Sequence, residues 1–353
     1  MLTVRFLPLF AFFSAAAFAA DPYLATPREV SALAERAPAA LKVRIETIVD
    51  KPQPSPSGDP HDYISYARYW WPDPSMPNGL PYVRHDGHHN LDQVAKGDHH
   101  RMFVFSDTVD ELAAAWATHH DERAARRAGD WLRAWFVTPA TRLNPNLDFS
   151  QVRLGHNHNR GSSSGLLDGR GLADVVDALR MLQGSPALSA SDDGAIHAWF
   201  SRYLHWLRTA KNPQTEHAAK NNHGSWFLVQ AISIARYCGD DALARQWCEE
   251  DKARIASQFR PDGSQPEEIR RVDGLGYSAF NLTAQFKIAR LASELGIDLW
   301  NYTAPDGGSL RQGYRFLERF NADPSAWPTS QHEKLQPGFL DPLVTQAKEQ
   351  WKE

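Results

Sequence analysis

Two short segments of the chain gather side chains suited to moving protons beside a carboxylate. The first runs from Lys220 to Trp226 (KNNHGSW) and the second from Glu267 to Leu282 (EEIRRVDGLGYSAFNL). Together they offer two amides (Asn221, Asn222), an imidazole (His223), two guanidiniums (Arg270, Arg271) and a phenol (Tyr277). Eliminating across a 4-linked uronate needs three functions. The carboxylate must be neutralised so that an enolate-like state can form. A base must take H5 and an acid must protonate the leaving oxygen. Asn222 and one of the two arginines can do the first. His223 and Tyr277 can share the proton work, provided a nearby cation draws the phenol below its ordinary pKa of ~10.

Each segment also has a plainer reading. Asn is a favoured N-cap, so one Asn can simply open a helix predicted over residues 226–237. That accounts for one Asn and not for two followed by His223. A helix start also favours an anion. Arg270 and Arg271 can be surface charges balanced by Glu267 and Glu268, with Tyr277 in the core. In one continuous helix Arg270 and Tyr277 would share a face. Gly274 and Gly276 argue instead for an element ending at Arg271, a tight loop, and a new helix near Tyr277.

The elements that must position these groups read as helix after helix. Helical spacing predicts segments at 27–49, 106–136 (broken by His119-His120-Asp121), 171–182, 191–211 with Ser191 as cap, 226–237, 241–259, 277–295 and 309–320. Strand-like alternation is sparse. A long irregular region, 51–97, carries Tyr63, Tyr66, Tyr69, Trp70, Trp71 and Tyr82, too aromatic for a disordered segment. Helical hairpins in series describe an all-α bundle or an α/α toroid, and no interdomain linker divides them. The expectation is one catalytic domain over residues 21–353.

The two segments, together with DYISYARYWWPDP (62–74) and GLPYVRHDG (79–87), resemble the alginate lyase family. The family pattern is N-N-H-x-x-W followed downstream by E-x-x-R-R shortly before a Tyr; here it is carried by Asn221, Asn222, His223 and Trp226, then Glu267, Arg270, Arg271 and Tyr277. The resemblance spans roughly residues 60–290. It implies an all-α fold, an incomplete (α/α) toroid with a long aromatic-rich N-terminal loop. It implies Asn222 and His223 as the family's Asn–His pair, Tyr277 as its acid/base, and Arg270 or Arg271 as its arginine. It implies an anionic polysaccharide as partner and no cofactor or metal. Tyr66, Arg68, Tyr69, Trp70 and Arg84 then become a lid or sugar subsites. His156, Asn157 and His158 become subsite donors, and Asn221 and Trp226 join the substrate-binding set. The chain departs from the best-known mannuronate lyases at Asp273, where they carry a further Arg, and at Ser278, where they carry a His. Mannuronate-rich alginate leads as substrate, with glucuronan or another polyuronate beside it.

Bulk properties narrow the rest. The net charge of −4 opposes a nucleic-acid partner but leaves room for a local basic cleft. The 12 Trp and 10 Tyr suit either sugar stacking or helix packing. Residues 1–20 read as a secretory signal peptide: Arg5, an apolar stretch from Phe6 to Phe13, and an Ala17-Phe18-Ala19 cleavage motif too short a run to span a bilayer. A periplasmic or secreted monomer, not inserted in a membrane, is expected. Cys238 and Cys248 are either a disulfide or two buried thiols. His85, His88, His89, His99 and His100 match no defined zinc spacing. Two rival functions remain: a glycoside hydrolase using Glu267, Glu268 or Asp273, and a non-catalytic polyuronate-binding protein.

Overall fold

The computed structural model describes residues 19–329 and 331–352. The signal-peptide reading falls almost wholly outside them. Four long helices form the inner layer: His99–His119, Gly171–Met181, Asn222–Tyr237 and Gly274–Glu294, each packed on the next in chain order. Each is followed by an outer helix that brings the chain back: Glu122–Leu132, Ala190–Thr209, Asp241–Gln258 and Leu310–Glu318. The fold is an all-α incomplete toroid. Composition explains which helices go inside. In Asn222–Tyr237, 13 of 16 residues are buried, so no polar face is left for water. The helix Glu122–Leu132 instead buries only one stripe, including Ala124, Ala128, Trp131 and Leu132.

Because outer helices carry the chain back, the inner helices run in parallel. Their N-termini therefore meet at one rim. Asn222, Tyr277 in the first turn after Gly274, His99, and Arg170 just before Gly171 all stand there. Their aligned dipoles make that rim attractive to anions.

The irregular N-terminal region is ordered by two small sheets. Ile64–Tyr66 pairs in parallel with Phe149–Val152, and Trp70–Trp71 pairs antiparallel with Val83–Arg84. Backbone bonds from His85 N to Tyr69 O (2.8 Å) and from Asn90 N to Arg68 O (2.7 Å) fold the loop back over the rim.

Several expected boundaries move. The 27–49 segment is two short helices, Pro27–Ala34 and Ala37–Ala40, because Pro38 opens a new helix and cannot continue the old one. The cap of the 190–209 helix is Ser189, whose capping box with Asp192 outcompetes Ser191. Lys211–His217 and Asp341–Trp351 escaped the sequence reading, as did the single turn Leu91–Val94. Much of the aromatic content is core: Trp131, Trp135 and Trp199 are fully buried. Cys238 and Cys248 are free thiols.

Candidate functional site

The site is built on the rim from the first turns of two inner helices. Asn221 is the N-cap of Asn222–Tyr237, its Oδ1 accepting from His223 N at 3.3 Å. Its side chain thus has a structural task, and the geometry gives it no place in the polar group described next. Asn222 is fully buried. The Glu268 carboxylate grips it twice, accepting from its backbone N and its Nδ2, both at 2.6 Å. The amide oxygen of Asn222 has no protein partner. Burial pushes the Glu268 carboxyl up, against the bonds from Asn222 and the charges of His223 and Arg271. The two bonds between Glu268 and Asn222 join the second segment to the first.

His223 meets Glu216, Nδ1 to Oε1 at 2.5 Å, and Glu216 is itself buried. A carboxylate at Nδ1 selects the tautomer with its proton there and leaves Nε2 with a lone pair. Gly224, next in the chain, has to be glycine. A Cβ there would collide with the Arg254 guanidinium and the Ala219 carbonyl. Arg254 bonds the carbonyls of Ala219 and His217, so it fixes the end of the short helix that carries Glu216.

The two arginines of the second segment face different surroundings. Arg270 points outward, its side chain 68% exposed and paired with Glu267. Arg271 turns inward. It forms a bidentate pair with Asp86, at 3.0 and 2.9 Å, and donates to the Tyr277 hydroxyl at 2.9 Å. Its guanidinium carbon lies 3.9 Å from the Tyr277 ring centroid. Burial works against the Arg271 charge, but Asp86 and the neighbouring phenols outweigh it and raise its pKa. A break between helices is present but lies earlier than expected, over residues 270–273; Gly274 and Gly276, expected in the loop, belong to the first turn of the new helix.

The Tyr277 hydroxyl also meets the Tyr69 hydroxyl at 2.7 Å, across from the aromatic loop. His89 Nε2 lies 3.4 Å from Tyr69. One expectation is corrected here. Arg271 does pull the Tyr277 phenol down, but burial and the bond to Tyr69 push harder, and the net shift is upward. Tyr277 is therefore a protonated phenol at neutral pH.

The other expected residues divide. Arg68 faces His99 Nε2 at 3.2 Å. Arg84 is exposed and bonds Asp86 Oδ1 at 2.7 Å. Trp70 lies edge-on to His156, with ring centroids 4.9 Å apart, and His156 Nε2 meets Tyr82 O at 2.8 Å. Asn157 and His158 are exposed in a turn of left-handed backbone. Tyr66 packs on the small cluster of Ile64, Phe149 and Val152. Trp226 is buried and packs against Phe280, the ring centroids 4.8 Å apart and the planes tilted by 30°. The sequence reading missed Glu216, which sits on an unpredicted helix, and considered Glu268 only as a surface charge or a hydrolase acid, not as the partner of Asn222. It also missed Asp86 and His89, which only the loop's fold brings to the site. Among the described residues no group of three or more His, Cys, Asp or Glu is placed to hold a metal ion. His89 and His99 face Tyr69 and Arg68, and His88 packs on His332.

Taken together, the rim holds an amide, a guanidinium and helix N-termini beside a base-competent imidazole and an acid-competent phenol. The alginate lyase family model matches residues 47–327. This chain belongs to the alginate lyase family. As a member of that family it is a polysaccharide lyase. An alginate lyase from Bacteroides ovatus superposes with a TM-score of 0.84 at 33% identity, covering 92% of this chain and 88% of that one. Alginate lyase A1-III from Sphingomonas species A1 gives 0.60 at 16% identity, covering 94% and 89%, a likeness of fold. A variant of that lyase complexed with a tetrasaccharide gives 0.59 at 15% identity, covering 97% and 91%. No curated protein matches significantly.

Proposed function

We propose that this lyase cleaves a 4-linked polyuronate, with mannuronate-rich alginate as the preferred substrate, by β-elimination. The observation that carries the reading is the Tyr277 hydroxyl held between Arg271 and Tyr69, at 2.9 and 2.7 Å, on the same rim as the Glu216–His223 pair. Asn222 and Arg271 bind the carboxylate of the reacting sugar and stabilise the charge that spreads into it. His223, through Nε2, removes H5. The C5–H electrons form the C4=C5 double bond as the C4–O4 bond breaks. Tyr277 gives its proton to the departing O4. Arg271 then offsets the charge left on the phenolate, with Tyr69 donating to it, until solvent returns a proton to Tyr277 and takes the H5 proton from His223.

Export fits this reading, since a polyuronate is met outside the cytoplasm. Residues 1–20 serve as the signal peptide and residues 21–353 as one catalytic domain in the periplasm or beyond. The test is incubation with polymannuronate, polyguluronate and glucuronan, following ultraviolet absorbance of the conjugated unsaturated uronate. Absorbance rising fastest with polymannuronate is expected. New reducing ends without absorbance would point to hydrolysis and reject the mechanism.

A further inference from the structure

Arg153 lies outside the group around Tyr277, and no sequence motif marks it. It directly follows the strand Phe149–Val152. Its guanidinium rests over the Trp70 ring, 4.9 Å from the centroid, and donates to Ser164 Oγ at 3.3 Å. Its Nε is buried without an acceptor. Among the described residues no ion pair holds it. Burial acts against its charge first, Arg84 repels it, and Glu216 attracts it without pairing. A half-buried cation left unpaired is costly unless an anion arrives. Arg84, Asp86 and Arg271 form a continuous line of ion pairs, at 2.7 and 2.9 Å, leading from this spot to Tyr277.

We propose that Arg153, assisted by Arg84, is a second carboxylate site, taking the carboxylate of the sugar next to the one that loses H5. This rests on the lyase reading above.

The test compares wild type, Arg153→Gln and Arg153→Lys on polymannuronate and on polymannuronate whose carboxylates have been partly reduced to alcohols. Arg153→Gln is expected to raise KM on polymannuronate by about tenfold, the loss of one charge-assisted contact, with kcat within about twofold. Arg153→Lys recovers part of that loss. The reduced polymer raises KM for wild type, and Arg153→Gln adds little on it. Arg84→Gln, at an exposed position, gives a smaller rise and carries the test if Arg153→Gln fails to fold. An unchanged KM in both Gln variants, or an equal penalty on the two polymers, overturns the proposal. If wild type forms no unsaturated product at all, the lyase reading fails separately. Calorimetric titration with a mannuronate tetramer then decides: weaker binding by Arg153→Gln supports the second site, and equal binding rejects it.

Discussion

The protonation state of Tyr277 sets what each rim residue can do. A phenol held above its ordinary pKa keeps its proton at neutral pH, the state that the proposed acid role requires. Tyr277→Phe should lower kcat about a thousandfold, within the range for losing a general acid, while circular dichroism stays that of wild type. Wild-type turnover in that variant removes Tyr277 from the mechanism. The pH profile separates acid from base. If Tyr277 must be protonated, kcat is flat from about pH 8 to 10; if tyrosinate were required, kcat would climb about tenfold per unit there. The two arginines make a second test. Arg271→Lys loses the bidentate Asp86 pair and the aligned donor to Tyr277, and kcat/KM should fall about a hundredfold. Arg270→Ala removes only an exposed pair with Glu267, and kcat/KM should stay within about twofold of wild type. Equal losses in both would sink the assignment.

Between residue and molecule lie the elements that aim these groups. A buried polar network stands behind both helix starts. Gln258 Nε2 holds the Asn221 carbonyl at 3.1 Å, Gln265 Nε2 holds the Ser278 carbonyl at 3.0 Å, and Asn281 Nδ2 bridges Gln258 and Gln265. Ser278 is thus a core position, its hydroxyl bonded to the Gly274 carbonyl. Asp273 has a different use. Its Oδ1 accepts from His332 N, Glu333 N and Gln331 Nε2, at 2.7, 2.8 and 3.2 Å. The segment it holds packs against the loop of Asp86 and His89: His332 lies against His88, and a Cβ at Gly87 would press on Val272 and His332. Asp273→Ala should therefore release residues 331–333, lower kcat/KM about tenfold and speed proteolysis near them; wild-type values for both would reject this buttressing. Helix identity and the two chemical segments were legible in the sequence, because helical spacing and paired polar motifs are local. Glu216, Asp86 and Arg153 were not. Each acts through a neighbour distant in the chain, and no spacing rule relates Asp86 to Arg271.

At the scale of the whole molecule, the toroid buries acids that stay costly when charged. Asp110 Oδ1 is buried without a hydrogen-bond partner; Asp174, Asp177 and Asp107 repel its charge and Lys287 opposes them. Burial, then repulsion from Asp174 and Asp177, pushes its carboxyl well up. Burial also raises Asp177 to about 6, although it accepts from Tyr23, Leu24 and Ala25 N, and raises Asp251 to about 6. For an acid whose folded pKa is raised, the folded chain holds more protons than the unfolded chain between the two values. The stability this lends is full below the unfolded pKa, near ~4, and is lost as pH rises through about 6. His99 and His217 oppose it, since burial lowers both and costs stability as pH falls below ~6.5. The acids outnumber them, so the melting temperature should be a few degrees higher near pH 5 than at pH 8. Asp110→Asn removes one of these charges without changing the side chain's size. It should raise the melting temperature at pH 8, leave it nearly unchanged at pH 5, and flatten the profile between; a parallel drop at both pH values would mean that Asp110 is a needed acceptor and not a buried liability.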